Sequence, residues 1–195
     1  MKQENKENTY ICRAFITPSQ SDDYDFEAVA VPANNEQLNY SRKNDEYFNQ
    51  VLRTGAENVD VSRLESGLPI FDNHPWDSSA LNVLGITTGY SFEERGIVVR
   101  VKWGARADEQ LKSDVKNGVL KTVSIEGIIE RYIREEPANP NDVPIYYADY
   151  WIPLSLSLAP VPNDIEAQIE VKRKIAARKK EDKQDNLYKS LTSKF

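Results

Sequence analysis

The chain has one cysteine, one histidine and no long apolar run. Each scarcity narrows what it can be. A single Cys12 can neither close an intramolecular disulfide nor anchor a cysteine-based zinc site, and it reads as a buried apolar residue. A single His74 rules out HExxH enzymes and every other multi-histidine metal centre, so no metal or cofactor is expected. If imidazole serves as a general base here, it is His74. The longest apolar stretches, such as Ile97 to Trp103 (IVVRVKW), fall well short of the ~20 residues a membrane-spanning helix needs. The opening MKQENKEN has no apolar core of a secretory signal, so the expected location is the cytoplasm in which the chain is made.

What is present suffices for one substantial core. The chain has 195 residues, of which 39% are hydrophobic and 29% charged, enough for one compact domain with tails. Charge is unevenly spread. From Ile165 to Phe195 nine Lys/Arg face five Asp/Glu, a net of +4, which leaves −10 for the first 164 residues of a chain whose total is −6. Such a basic tail is either a solvated helix or a segment that binds an acidic partner.

Residues 1–9 are polar and expected to be disordered. Tyr10 to Thr17 and Phe26 to Pro32 read as strands around a turn-like Pro18 to Asp25. Between Ser41 and Thr54, Tyr47, Phe48, Val51 and Leu52 fall on one helical stripe before Gly55, which predicts a short amphipathic helix. Leu68 to Phe71 is a brief apolar run that ends in the polar turn DNHPWD. Ala80 to Phe92 predicts a strand interrupted by Gly85, joined through Glu93-Glu94-Arg95-Gly96 to the alternating strand Ile97 to Trp103. Ala105 to Asn117 has Ala107, Leu111 and Val115 at spacing four, acidic residues early and lysines late, and Gly118 as a stop, all marks of a helix. Val119 to Tyr132 and Ile145 to Pro162 return to strand character around a Pro- and Asn-rich loop. Asn163 and Glu166 can cap a final helix. This order predicts an α+β fold with a mixed or antiparallel sheet, closed into a β-barrel flanked by helices.

Three segments could carry chemistry: Asp72-Asn73-His74-Pro75, Val123-Ser124-Ile125-Glu126-Gly127, and Leu154-Ser155-Leu156-Ser157-Leu158. Singly, each has a plain structural explanation: a histidine in a polar turn, and serines on the outward face of a strand. Jointly they fit acyl transfer, which needs a serine hydroxyl, a base within hydrogen-bond reach and donors for the oxyanion. Gly127, three residues beyond Ser124, would let backbone approach a substrate closely.

In the runs Val59 to Trp76, Val83 to Trp103, Asp114 to Gly127 and Tyr150 to Asp164, the chain resembles the prohead maturation proteases of tailed bacteriophages over about a hundred residues, in the same order. Those proteases are in turn similar to the herpesvirus assemblins, serine proteases built on a helix-flanked β-barrel. The resemblance is carried by Asn73-His74, by Gly118 followed by Val123-Ser124, and by Trp151, Pro153-Leu154, Ser157-Leu158 and Pro160-Val161-Pro162. It implies a protease-like domain over 10–164 and a basic helical tail over 165–195, the tail a targeting or self-cleaved region. It implies Ser124 as nucleophile and His74 as general base.

The resemblance further implies cleavage of scaffold or of the capsid-protein arm, and of the protease itself, inside an immature head in the host cytoplasm. The implied partners are the phage scaffold and major capsid protein, with a homodimer by analogy to assemblins, and neither membrane nor nucleic acid. Where the family strand has an acidic residue, taken to orient the histidine, this chain has Ser155, and Glu126 precedes the glycine after the nucleophile. Ser155 can orient an imidazole by a hydrogen bond but supplies no charge. Glu126, two residues along a strand from Ser124 and so on the same face, is the first substitute, ahead of Asp72, Asp77 and Asp149. The rival readings are a protease-like fold kept as a structural component without hydrolysis, and nucleic-acid binding through Lys172 to Lys183, which the acidic body disfavours.

Overall fold

The computed structural model describes residues 9–19, 21–41, 43–72, 80–139 and 142–159. Residues 1–8 of the N-terminus expected to be disordered, residues 73–79 with His74 and Asp77, and the predicted helical tail lie outside the described residues, while Thr9 opens the first strand. The fold is α+β and mostly strand. Nine strands, β1 (Thr9–Pro18), β2 (Phe26–Pro32), β3 (Gln37–Ser41), β4 (Glu46–Leu52), β5 (Pro69–Asp72), β6 (Val83–Glu93), β7 (Gly96–Trp103), β8 (Thr122–Glu135) and β9 (Ile145–Leu158), form one mixed sheet. Two short α-helices, α1 (Val61–Ser66) and α2 (Glu109–Lys116), accompany it.

Neighbouring strands follow the order β3-β4-β9-β5-β6-β7-β2-β1-β8, and β8 also pairs with β9. The ladders from β9 through β5, β6, β7, β2, β1 and β8 therefore lead back to β9. β9 is antiparallel to β8 along its whole length, while its other edge runs parallel to β4 over Ile145–Ala148 and to β5 over Leu156–Leu158. The stretch between is occupied by the chain entering α1: the Asp60 backbone N–H donates to the Trp151 carbonyl at 2.9 Å, and Asn58 Nδ2 donates to the Asp149 carbonyl at 2.8 Å.

The expected hairpin forms β6 and β7, with Glu94-Arg95 as the loop. Gly96 there has φ +124°, and a Cβ would stand 2.0 Å from the Val31 carbonyl oxygen, so glycine is required by both backbone and space. Helix α2 falls inside its expected span. Asp108 caps it by accepting from the Leu111 N–H at 2.7 Å, Val115 is its buried contact, and Gly118 at φ +70° ends it. Cys12 stands opposite Ile125 in the β1–β8 ladder.

The helix expected between Ser41 and Thr54 does not form; its residues supply β4, the second strand of the β3–β4 hairpin. Phe48, Gln50 and Leu52 face inward with strand period. Gln50 is the polar member of that inward row, and it is satisfied by Asn39 Nδ2, which donates to its Oε1 at 2.7 Å. Its polarity hides the alternation and leaves the Tyr47-Phe48 and Val51-Leu52 pairs looking helical.

The core is built from the inward rows of the strands, with Phe26, Ile70, Ile97, Ile125, Trp151 and Leu156 all fully buried. Trp151 is its largest side chain, and its indole Nε1 donates to the Arg53 carbonyl at 2.9 Å.

Candidate active site

Ser124 sits on β8 between Val123 and Ile125, both fully buried in the core cluster. On β9 the same alternation gives Leu156 and Leu158 to the core. Register pairs Val123 with Leu158, Ser124 with Ser157, Ile125 with Leu156 and Glu126 with Ser155. Directly opposed residues share a sheet face. Thus Ser124, Ser157, Glu126 and Ser155 form a four-residue polar patch on the face opposite the core. Three of the four are hydroxyls, and all three serines are buried, Ser124 to 2% exposure and Ser157 to 0%.

The row extends sideways onto β5. Ile70 pairs with Leu156, Phe71 with Ser157 and Asp72 with Leu158, so Phe71 shares the serine face and closes one side of it. The chain leaves β5 at Asp72, beside Leu158, whose partner on β8 is Val123. Two ladders therefore bring the end of β5 into line with the residue before Ser124. On the other side of β8, β1 continues the row with Arg13 opposite Ser124 and Ile11 opposite Glu126.

Of the residues proposed from sequence, Ser124, Ser155 and Glu126 meet on this patch. Ser155 opposes Glu126 rather than Ser124, one step of roughly 7 Å along the strand from the Ser124–Ser157 pair. The ladder shifts register between Glu126 and Gly127, a bulge that bends the strand beside Ser124. His74 lies outside the described residues.

Asp149, named above as a substitute third member, belongs elsewhere. It is eight residues up β9 from Ser157, on the order of 25 Å away at strand rise. Its carboxylate is held by Arg53 Nη1 and Arg131 Nε, each at 2.6 Å, so it is committed to two cations at the far end of the ladder.

That far end is rich in aromatic and ionic contacts. Glu46 accepts from the Tyr146 hydroxyl at 2.5 Å and from Arg134 at 3.3 Å. Tyr132 packs edge-on to Tyr146 at 5.9 Å, and burial pushes its phenol up to about 12. Tyr146 is raised as well, by burial first and then by the Glu46 carboxylate.

Ser157 is the residue that the sequence did not single out as a site. Its Oγ is, among the described residues, the one buried side-chain polar atom without a hydrogen-bond partner. An orphaned buried hydroxyl typically costs about 1–3 kcal/mol. The signal was present in the Leu-Ser-Leu-Ser-Leu alternation, which puts two hydroxyls on one strand face, but it does not say which of them opposes Ser124.

Among the described residues no group of three or more His, Cys, Asp or Glu side chains is placed to hold a metal ion, and no helix is long and apolar enough to cross a membrane. Comparison with family models, curated proteins and solved structures finds no match to this chain.

Proposed function

We propose that this protein is a serine endopeptidase of the prohead maturation type, cutting scaffold or the capsid-protein arm, and itself, during phage head assembly. Ser124 is the nucleophile and His74 its base. The hydroxyl adds to the scissile carbonyl, its proton passes to the imidazole and then to the leaving amine, and water resolves the acyl-enzyme by the same route. Glu126 and Ser155 are the groups offered to orient the imidazole. On this reading the circuit of seven strands is an assemblin-like barrel, and the chain acts as a homodimer inside the immature head.

The observation that carries the proposal is the register β5–β9–β8. It sets Asp72, Leu158 and Val123 in one line, with the candidate nucleophile one residue beyond Val123. His74 follows Asp72 by two residues, so the chain itself limits its distance from the end of β5 to about 7 Å.

The second reading, a protease-like fold retained as a structural component of the head, draws on two features. Ser124 is 2% exposed, and Ser155 stands where the resembling family has a carboxylate. In well-studied triads, loss of the third member's charge costs on the order of 10⁴ in turnover.

The test is intact-mass analysis over days of the wild type beside Ser124→Ala and His74→Ala, alone and with the scaffold and capsid proteins encoded alongside it. Cleavage by the wild type and by neither variant supports the endopeptidase. Equal cleavage by all three exposes a contaminant, and cleavage by none gives the structural reading the lead.

A further inference from the structure

Ser157 has no role in the reaction just described, yet it is the direct cross-strand partner of Ser124 and is wholly buried with its hydroxyl uncommitted. We infer that Ser157 is a positioning residue for the Ser124 side chain. The inference rests on Ser124 being the nucleophile and adds a second residue to that site.

Directly opposed residues of an antiparallel pair hold their Cβ atoms about 4.5–5.5 Å apart. Each Oγ reaches a little over an ångström further, and each turns among three staggered positions. Rotation of the two hydroxyls toward each other therefore closes to hydrogen-bond distance without moving the backbone. In this structure Ser157 Oγ makes no such bond; when made, it would hold Ser124 Oγ in the one of its three rotamers that points across to β9 instead of along the strand.

Packing alone does not account for the hydroxyl. Alanine would fill nearly the same space without an orphaned donor, and the apolar neighbours Leu156 and Leu158 already supply the core on the opposite face. Ser155 is the less suited of the two β9 serines, because it opposes Glu126. An uncommitted donor kept dry beside a nucleophile is a group in reserve for the state in which that nucleophile turns.

The experiment measures the second-order labelling rate of the full chain with a fluorophosphonate probe, which phosphonylates an activated serine with fluoride leaving and the hydroxyl proton passing to the base. The proteins are the wild type, Ser124→Ala, Ser157→Ala, and the volume-matched pair Ser157→Thr and Ser157→Val, each with its thermal unfolding midpoint. The expected result is a fall on the order of 10-fold in Ser157→Ala and Ser157→Val, through the maximal rate rather than through probe affinity. Ser157→Thr should recover most of the rate, and the Ser157→Ala midpoint should be unchanged or raised.

If the wild type labels, Ser124→Ala does not, and Ser157→Ala labels at the wild-type rate, Ser124 stands as nucleophile and the role of Ser157 is overturned. Equal losses in Ser157→Thr and Ser157→Val make the effect one of packing and also overturn it. If the wild type is not labelled, or Ser124→Ala labels equally, the nucleophile assignment itself fails, and the role of Ser157 fails with it.

Discussion

The two ends of the β8–β9 ladder are made of the same two strands and share almost no chemistry. At one end Ser124, Ser157, Ser155 and Glu126 form a patch of small groups, one of them a buried hydroxyl without a partner. At the other, Asp149 holds two arginines and Glu46 engages Tyr146 and Arg134, while Arg53, Arg131 and Arg134 lie over the rings of Tyr147, Tyr150 and Tyr146. One end satisfies its polar groups; the other leaves the Ser157 hydroxyl uncommitted. Uncommitted groups cost stability, and they are what a reactive site needs, so the ladder divides the two tasks along its length.

That division can be broken most severely at Ser124. Ser124→Ala is expected to lower fluorophosphonate labelling at least 10³-fold with little change in unfolding midpoint; retained labelling would remove any special status from the serine end. Trp151 joins the halves, and Trp151→Ala should cost about 3–5 kcal/mol in urea denaturation, because a fully buried indole is lost and the Arg53 carbonyl loses its donor. Asp149→Ala tests the opposite end. With both arginines partly solvent-exposed, the expected loss is about 1–2 kcal/mol, and the labelling rate should not move. A parallel drop in labelling would show that the ends are not separable.

The smallest effect concerns Tyr132. Its phenol is raised from 10.0 to about 12 in the fold, so the neutral form is favoured there. The resulting stability is fully present below pH 10 and is lost as pH rises toward 12. Tyr132→Phe should cost about 1 kcal/mol or less at neutral pH, because Gln50 Nε2 loses an acceptor at 3.3 Å, and should flatten the alkaline loss, as read by denaturation curves at neutral pH and between pH 10 and 12.

Legibility followed the same split between local and cross-strand information. Helix α2 was readable because its cap, buried face and glycine stop lie within a dozen residues, and the β6–β7 hairpin because its loop is two residues long. The β3–β4 hairpin was misread because Gln50, an inward polar residue, is satisfied by Asn39 and Tyr132 from two other strands. The serines of the site were visible as serines. That Ser157 and not Ser155 opposes Ser124 depends on a register between segments some thirty residues apart, which no local pattern encodes. Asp149 looked available because its two arginines, Arg53 and Arg131, are distant in sequence.

β9 is hydrogen-bonded to β8 on one side and to β4 and β5 on the other, and it is the last described strand to leave the ribosome. Until Leu158 has been synthesised, β4, β5 and β8 each present a bare edge, and the apolar rows of Ile70 and Ile125 have no partner on β9. Folding of this sheet therefore waits on its final strand, a high-contact-order route that is slow and exposed to misassembly during translation. Chains truncated before Ile145 are expected to aggregate rather than form a smaller version of the fold.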